Sequence, residues 1–393
     1  MVVLFVTPYL RKKEENPKGG GLETYLFRVA GALKKMGHEP IILALGDENM
    51  HYRENDVEIF FTVRPSISIK RKFLKIISIR MSSSLVLNRK VKELIRKRKV
   101  DVVQFASLLG LAICYYGKTP AVMRLSSYAK TYYKDDKDLS RVELYIMSLF
   151  ERLAARRCNA VFAPSHVIAD AFSRDIHRTV SVVESPFWND CVTCDESIYH
   201  NTLYGKKYLL FVGRLHFEKG ILVIAEILEQ FLAEHSDYYF VCCGESGMID
   251  GRNSVRILQL ASGKYKDRFI YMTPLSHEYL YPVIWHADFV ICPSIMENFS
   301  NSCMEAMYFK RVVIGTDGTS FEQLIDDGKN GLLCVPGDAE SLLNKMNVAA
   351  GMSGEQKEEM GQKARKRIDR LAPEYTVKTL LHYYRYVINN IQK

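Results

Sequence analysis

The chain lacks any run of about 18 apolar residues, which excludes a membrane-spanning helix. It lacks a GxGxxG fingerprint, a DxD-like carboxylate pair in a convincing place and any short-period repeat. Its one CxxC, Cys191 and Cys194, has no second pair and no histidines at ligand spacing, which argues against a metal or redox centre. The other cysteines, Cys114, Cys158, Cys242, Cys243, Cys292, Cys303 and Cys334, stand mostly in apolar surroundings. That usage suits a reducing cytoplasm better than a disulfide framework. The opening MVVLFVTPYLRKK is apolar first and basic second, the reverse of a secretory signal, and reads as a core strand. Acid is nearly missing from one window. Between Arg64 and Lys99, 13 Lys and Arg face Glu93 alone, so this window carries +12 against a net +9 for the chain. Such a patch suits anionic phosphates, of lipid head groups or of nucleic acid.

What is present is strand and helix in alternation. At 393 residues and 48% hydrophobic the chain exceeds one ordinary core. VVLFV, EPIILAL, DVVQFA, AVMRLS, AVFAPS and TVSVVES read as strands of a first half. KYLLFVGR, YYFVCCG, RFIYM, DFVICPS, RVVIGT and GLLCV read as strands of a second. Helix-like periods separate them, so both sheets are expected to be parallel and covered on both faces. The polar, aperiodic FWNDCVTCDESIYHNTLYG marks the boundary. The expected organisation is an α/β chain of two Rossmann-like, doubly wound domains facing across a cleft: 1–190, a linker at 191–206, and 207–372. The amphipathic C-terminal helix, about 373–393, is expected to pack back on the first domain. Ligands of such sheets bind outside the carboxyl ends of the strands.

Three strand ends carry chemistry. After the first strand, Gly19, Gly20 and Gly21 precede a helix, where backbone can approach an anion closely; a flexible turn is the plain alternative. In GRLHFEKG, Arg214 leaves a strand end and Lys219 is placed at the start of the next helix, a pair suited to a diphosphate. In PSIMENFSNSCMEA, Glu297 lies in a loop after a strand and Glu305 about one turn into a short helix. Carboxylates accept paired hydrogen bonds from vicinal hydroxyls, so the two suit a sugar and a ribose. A loop charge and a helix N-terminal charge are the alternatives.

Together these motifs resemble the retaining glycosyltransferases of family 4, with their two-domain GT-B fold. The likeness runs through GGGLETYLFRVAGALKKMGHEP, FVGRLHFEKG, ADFVICPSIMENFSNSCMEAM and DDGKNGLLCVPGDAESL. The resemblance implies that Arg214 and Lys219 bind the donor diphosphate and stabilise the departing nucleotide. It implies that Glu297 contacts the donor sugar and takes part in catalysis, and that Glu305 binds the nucleotide ribose. Asn298, Phe299, Ser300 and Asn301 match the loop whose amides meet sugar and diphosphate, and Gly20 and Gly21 the N-terminal glycine loop. It further implies transfer with retention, no metal and no cofactor, the nucleotide sugar being a substrate. Two departures stand out. Ser126 occupies the place of the family's histidine, so a His-dependent step is in doubt, although a hydroxyl there can hydrogen-bond the sugar. Asn298 and Ser300 replace glycines, and their added side chains suit a role in choosing the sugar.

The resemblance favours a UDP-sugar over a GDP-sugar. The expected acceptor is a glycan or lipid-linked saccharide, in surface polysaccharide or glycolipid synthesis. In IKRKFLKIISIR, Phe73, Ile76 and Ile77 share a helical face amid cations, as in a helix lying on anionic membrane; packing on its own domain is the alternative. The expected location is cytoplasmic, peripheral on the inner membrane face. Tyr128, Tyr132 and Tyr133 are placed to stack on an acceptor sugar, with plain packing as the alternative. A nucleotide-sugar epimerase of the same fold, or a donor-binding protein without turnover, are the rival readings. A nucleic-acid partner is not expected, because no recognised motif accompanies the basic window.

Overall fold

The computed structural model describes residues 1–11, 20–134, 139–189, 191 and 193–391. The chain forms two compact units, Met1–Pro186 with Ala372–Lys393, and Phe187–Leu371. Strands of the first unit are β1 (Val2–Thr7), β2 (Glu39–Gly46), β3 (Met50–Glu54), β4 (Val57–Val63), β5 (Val102–Ala106), β6 (Ala121–Arg124), β7 (Ala160–Ala163) and β8 (Ser181–Val182). They lie in the order β3-β4-β2-β1-β5-β6-β7-β8, parallel except for β3 against β4. The hairpin β3–β4 was not expected. Its turn residues Asn55 and Asp56 take φ of 46° and 63°, the backbone a tight hairpin needs.

The second unit contains β9 (Lys207–Val212), β10 (Tyr238–Cys243), the small hairpin β11 (Met248–Ile249) and β12 (Arg252–Asn253), then β13 (Phe269–Met272), β14 (Phe289–Ile291), β15 (Val312–Thr316) and β16 (Leu332–Cys334). Six of these form a parallel sheet in the order β13-β10-β9-β14-β15-β16. This is the doubly wound order, and the direction of winding reverses between β9 and β14. In the first unit the reversal falls between β1 and β5. Strand interiors such as Leu209, Leu210, Val290 and Ile291 are fully buried, as sheets covered on both faces require.

The expected linker at 191–206 is instead built into the second unit. Ser197–Thr202 is helical, Leu203 is fully buried, and Tyr199 stacks on His286 with centroids 3.9 Å apart. Pro282 lies inside the helix His277–Trp285 and cannot donate to the carbonyl of Glu278 four residues earlier. Asp195 N–H fills that vacancy at 3.0 Å, latching the segment to the helix. The units meet in sequence at 186/187 and 371/372, a few residues from the expected bounds.

The helix Pro373–Ile391 belongs to the first unit. Val377, Leu380, Leu381, Tyr384 and Val387 form its buried stripe, at the spacing of a helix face. Each aliphatic member contributes about 1.5–3 kcal/mol when fully buried. Tyr384 donates its hydroxyl to Gln104 Oε1 of β5 at 2.6 Å.

Behind the loop that follows β6 lies an acid with no exposed face. Glu151, 3% exposed, accepts a hydrogen bond from Ala129 N at 3.0 Å. Burial pushes its pKa up to about 8, opposed by that hydrogen bond and by Arg80. The folded chain therefore keeps a proton that the unfolded chain releases near 4.5, and stability falls as pH rises from 4.5 toward 8. Glu151→Gln should remove this slope, which is at most about 1.4 kcal/mol per pH unit. Denaturation curves at pH 5, 6.5 and 8 test it; parallel pH dependence in wild type and variant would refute the assignment.

Candidate active site

Two loops at the reversal point of the second sheet are stitched into one body. After β9 the chain makes a short 3-10 turn, Phe217–Lys219, and the next helix begins only at Ile221. Lys219 thus ends that turn and does not open the helix, as had been expected. The cause is Gly220, which sits in the left-handed region at φ 77°. A Cβ there would lie 2.0 Å from the carbonyl oxygen of Pro293, so only glycine allows the loops to come this close. Beside it, Ile295 N–H donates to Glu218 O at 2.9 Å. Thr316 Oγ1 donates to Ser294 O at 2.7 Å, holding the second loop from the β15 side.

Lys219 Nζ forms an ion pair with Glu297 Oε2, and both side chains are largely buried, 19% and 8% exposed. Glu297 Oε1 also accepts from Asn298 N at 3.1 Å. Arg214, more than half exposed, reaches Glu218 Oε1 at 3.5 Å, and His216 Nδ1 lies 3.6 Å from Glu218 Oε2. Glu218 was not singled out from the sequence. It anchors a cation loosely and leaves most of the guanidinium open.

The helix Asn301–Tyr308 follows. Ser300 is its N-cap: its hydroxyl accepts from Cys303 N at 3.4 Å and lies 3.2 Å from Ser302 Oγ. Where the family has glycine, this side chain holds the helix end, so the sugar-selecting role expected of it competes with capping. Asn301 is the first helical residue, and Phe299 is half-buried. Asn298 and Glu305 are buried at 6% and 4% exposed. His277 Nε2 lies 3.4 Å from Glu305 Oε1. The neighbouring Cys292 is buried, which pushes its thiol up to about 12 and keeps it protonated and unreactive.

Gly20, Gly21 and Ser126 belong to the first unit. Gly19 lies outside the described residues. Gly20 caps the helix Gly21–Lys35 without a side-chain bond, and both glycines are exposed. Ser126 Oγ accepts from Arg124 Nη1 at 3.2 Å, and its amide donates to Ser107 Oγ at 3.2 Å. Arg124 is 6% exposed and lies 3.6 Å over the Tyr25 ring of the glycine-led helix. Desolvation lowers its pKa. Tyr128 is 1% exposed and bonded to Asp175, so it packs and cannot stack on a sugar. Tyr132 and Tyr133 are half-buried, edge to face at 5.4 Å. The CxxC sulfurs stand 3.9 Å apart, and among the described residues no cluster of three or more His, Cys, Asp or Glu forms a metal cage.

Residues 198–367 match the family described as glycosyl transferases group 1, and residues 19–185 match Glycosyltransferase Family 4. The chain belongs to glycosyltransferase family 4. Its fold is of GT-B type: sucrose-phosphate synthase from Thermosynechococcus elongatus superposes with TM-score 0.77 at 15% identity, covering 99% of both chains. Anabaena HepE, solved in complex with UDP and glucose, gives 0.70 at 15% identity, over 98% of this chain and 99% of that one. A 2-deoxystreptamine N-acetyl-D-glucosaminyltransferase of Niallia circulans is 25% identical over 40% of this chain and 39% of its own length. The chain thus matches well under two thirds of that relative.

In this family 4 chain, the stitch between the two loops is the feature most open to test. Gly220→Ala should cost about 1–3 kcal/mol in backbone strain alone and displace Lys219 from Glu297. Urea denaturation measures the first effect. Stability equal to wild type would show that the loops can part without loss.

Proposed function

We propose that this family 4 chain is a retaining glycosyltransferase that moves a sugar from UDP to a glycan or lipid-linked saccharide, in surface polysaccharide or glycolipid synthesis. The observation that carries this reading is the Lys219–Glu297 pair, held at the sheet's reversal point by the Gly220–Pro293 contact. Charge develops on the leaving diphosphate during transfer, and preorganised cations stabilise it most when already fixed in place. Lys219 is fixed by Glu297, while Arg214 is open enough to close on phosphate oxygens. Glu297 contacts the donor sugar, and amides of Asn298, Phe299, Ser300 and Asn301 meet sugar and diphosphate. Glu305 takes the ribose hydroxyls. The roles proposed for Gly20 and Gly21, toward the diphosphate, and for Ser126, as a hydrogen-bonding partner of a sugar, rest on the resemblance of their motifs. The two cations do the work of a metal, and no cofactor enters. The HepE complex with UDP and glucose supports UDP as the nucleotide.

Incubation with a panel of nucleotide sugars and an acceptor extract tests this. Transfer from a UDP-sugar is expected, undiminished by EDTA. Lys219→Ala should lower turnover by at least about a hundredfold, the scale on which one transition-state donor acts. Epimerised nucleotide sugar would favour the epimerase, binding without product would leave a donor-binding protein, and normal turnover in the variant would remove the leaving-group role.

The proposed acceptor side is a membrane. No described helix is long and apolar enough to cross one. Phe73 and Leu74, on the helix Lys72–Arg98, and Val142 and Tyr145, on Arg141–Arg157, are exposed at 42%, 39%, 61% and 60%. Lys72 joins Glu143 at 3.1 Å, which pins the first turns of these helices together. These exposed apolar side chains, with Lys70, Arg71 and Lys75 exposed in the same stretch, suit anionic head groups on a cytoplasmic face. Replacing those three cations by Gln should weaken sedimentation with phosphatidylglycerol vesicles at least about tenfold, at about 1 kcal/mol per charge. Unchanged sedimentation would refute the surface.

A further inference from the structure

The reading of Glu305 as the ribose ligand leaves open what aims its carboxylate, and the second unit supplies a candidate that the sequence motifs did not include. His277 is the first residue of the helix His277–Trp285, directly after the N-cap Ser276. Its imidazole stacks on Tyr281 one turn on, with centroids 4.7 Å apart and planes 12° from parallel. Tyr281 is 1% exposed and packs against Phe309, just beyond the helix that carries Glu305. The ring plane is therefore set by core packing, and Nε2 lies 3.4 Å from Glu305 Oε1. The Glu305 side chain is 5% exposed, that of His277 33%.

A nearly buried glutamate carboxylate, placed and turned by three rotatable bonds, accepts a bidentate pair of hydroxyls in few of its rotamers. An N–H on one oxygen favours such a rotamer and leaves the other oxygen, with remaining lone pairs, for the ligand. We propose that His277 is a positioning residue for nucleotide recognition: its Nε2 proton is donated to Glu305, and through Glu305 it sets affinity for the 2′- and 3′-hydroxyls of a nucleoside diphosphate. This rests on the proposed ribose role of Glu305. Lys219, Glu297 and Arg214 act on diphosphate and sugar, so they do not duplicate it.

The experiment is calorimetry with UDP and 2′,3′-dideoxy-UDP on the full chain, in wild type, Glu305→Gln, His277→Ala and His277→Gln, with melting curves to confirm folding. Wild type should prefer UDP by at least about tenfold, and Glu305→Gln should abolish the preference. His277→Ala should weaken UDP about three- to tenfold and leave dideoxy-UDP as in wild type. His277→Gln, whose amide nitrogen reaches a similar position, should recover most of the loss. If wild type does not discriminate, the ribose reading falls and this inference with it. If wild type and Glu305→Gln behave as expected, three results overturn the inference alone: full discrimination in His277→Ala, equal loss for both nucleotides, or no recovery in His277→Gln.

Discussion

The close approach of Gly220 to the carbonyl of Pro293 is the constraint on which the candidate site depends. It brings a turn from the end of β9 onto the loop leaving β14, across the one place in the sheet where neighbouring strands wind in opposite directions. At such a reversal crossover helices diverge, and ligands of doubly wound sheets bind in the crevice outside those strand ends. With the loops joined, a lysine from one and a glutamate from the other meet at fixed distance. Neither charge has to be gathered when a substrate arrives. That is electrostatic preorganisation achieved by backbone contact, with side chains following.

Much of the fold is legible in the sequence because buried parallel strands are written as continuous apolar runs. YLLFV, FVCC, FVIC and VVIG stand out against their surroundings and lie where expected. One miss carries a clear apolar signal, VEIFFTV of β4, but the others have little. MHYRE, the edge strand β3, alternates weakly, and its turn depends on two residues with positive φ rather than on glycine. The segment 191–206 reads as polar linker, yet its hold on the second unit includes one backbone bond freed by Pro282, far along the chain, together with a tyrosine–histidine stack. Such long-range partners leave no mark in local composition.

The site divides in the same way. Arg214, Lys219, Glu297 and Glu305 stand out as candidates because each follows a strand end closely, although Lys219 closes a 3-10 turn instead of opening the helix. Their partners do not. Glu218 lies inside the motif but looks like a surface acid. His277 opens a helix after a strand, a place no motif singles out, and only the fold shows that it faces Glu305. Tyr128 stays open between stacking and packing in the sequence, because an aromatic beside a strand end reads alike whether it faces ligand or core; the fold selects packing. Ser300 shows the converse, a departure from glycine that the helix itself absorbs as a cap.

The ownership of the last helix has a consequence for synthesis on the ribosome. The first unit's sheet is complete once residue 186 has emerged, but the face around Gln104 stays uncovered until Pro373–Ile391 arrives. Everything in between, the whole second unit, is translated and can fold while that apolar stripe's seat is empty. At about 5–20 residues per second the wait is on the order of ten seconds or more. During it the nascent first unit exposes a surface suited to chaperone capture, and a chain shortened by two dozen residues would expose it permanently.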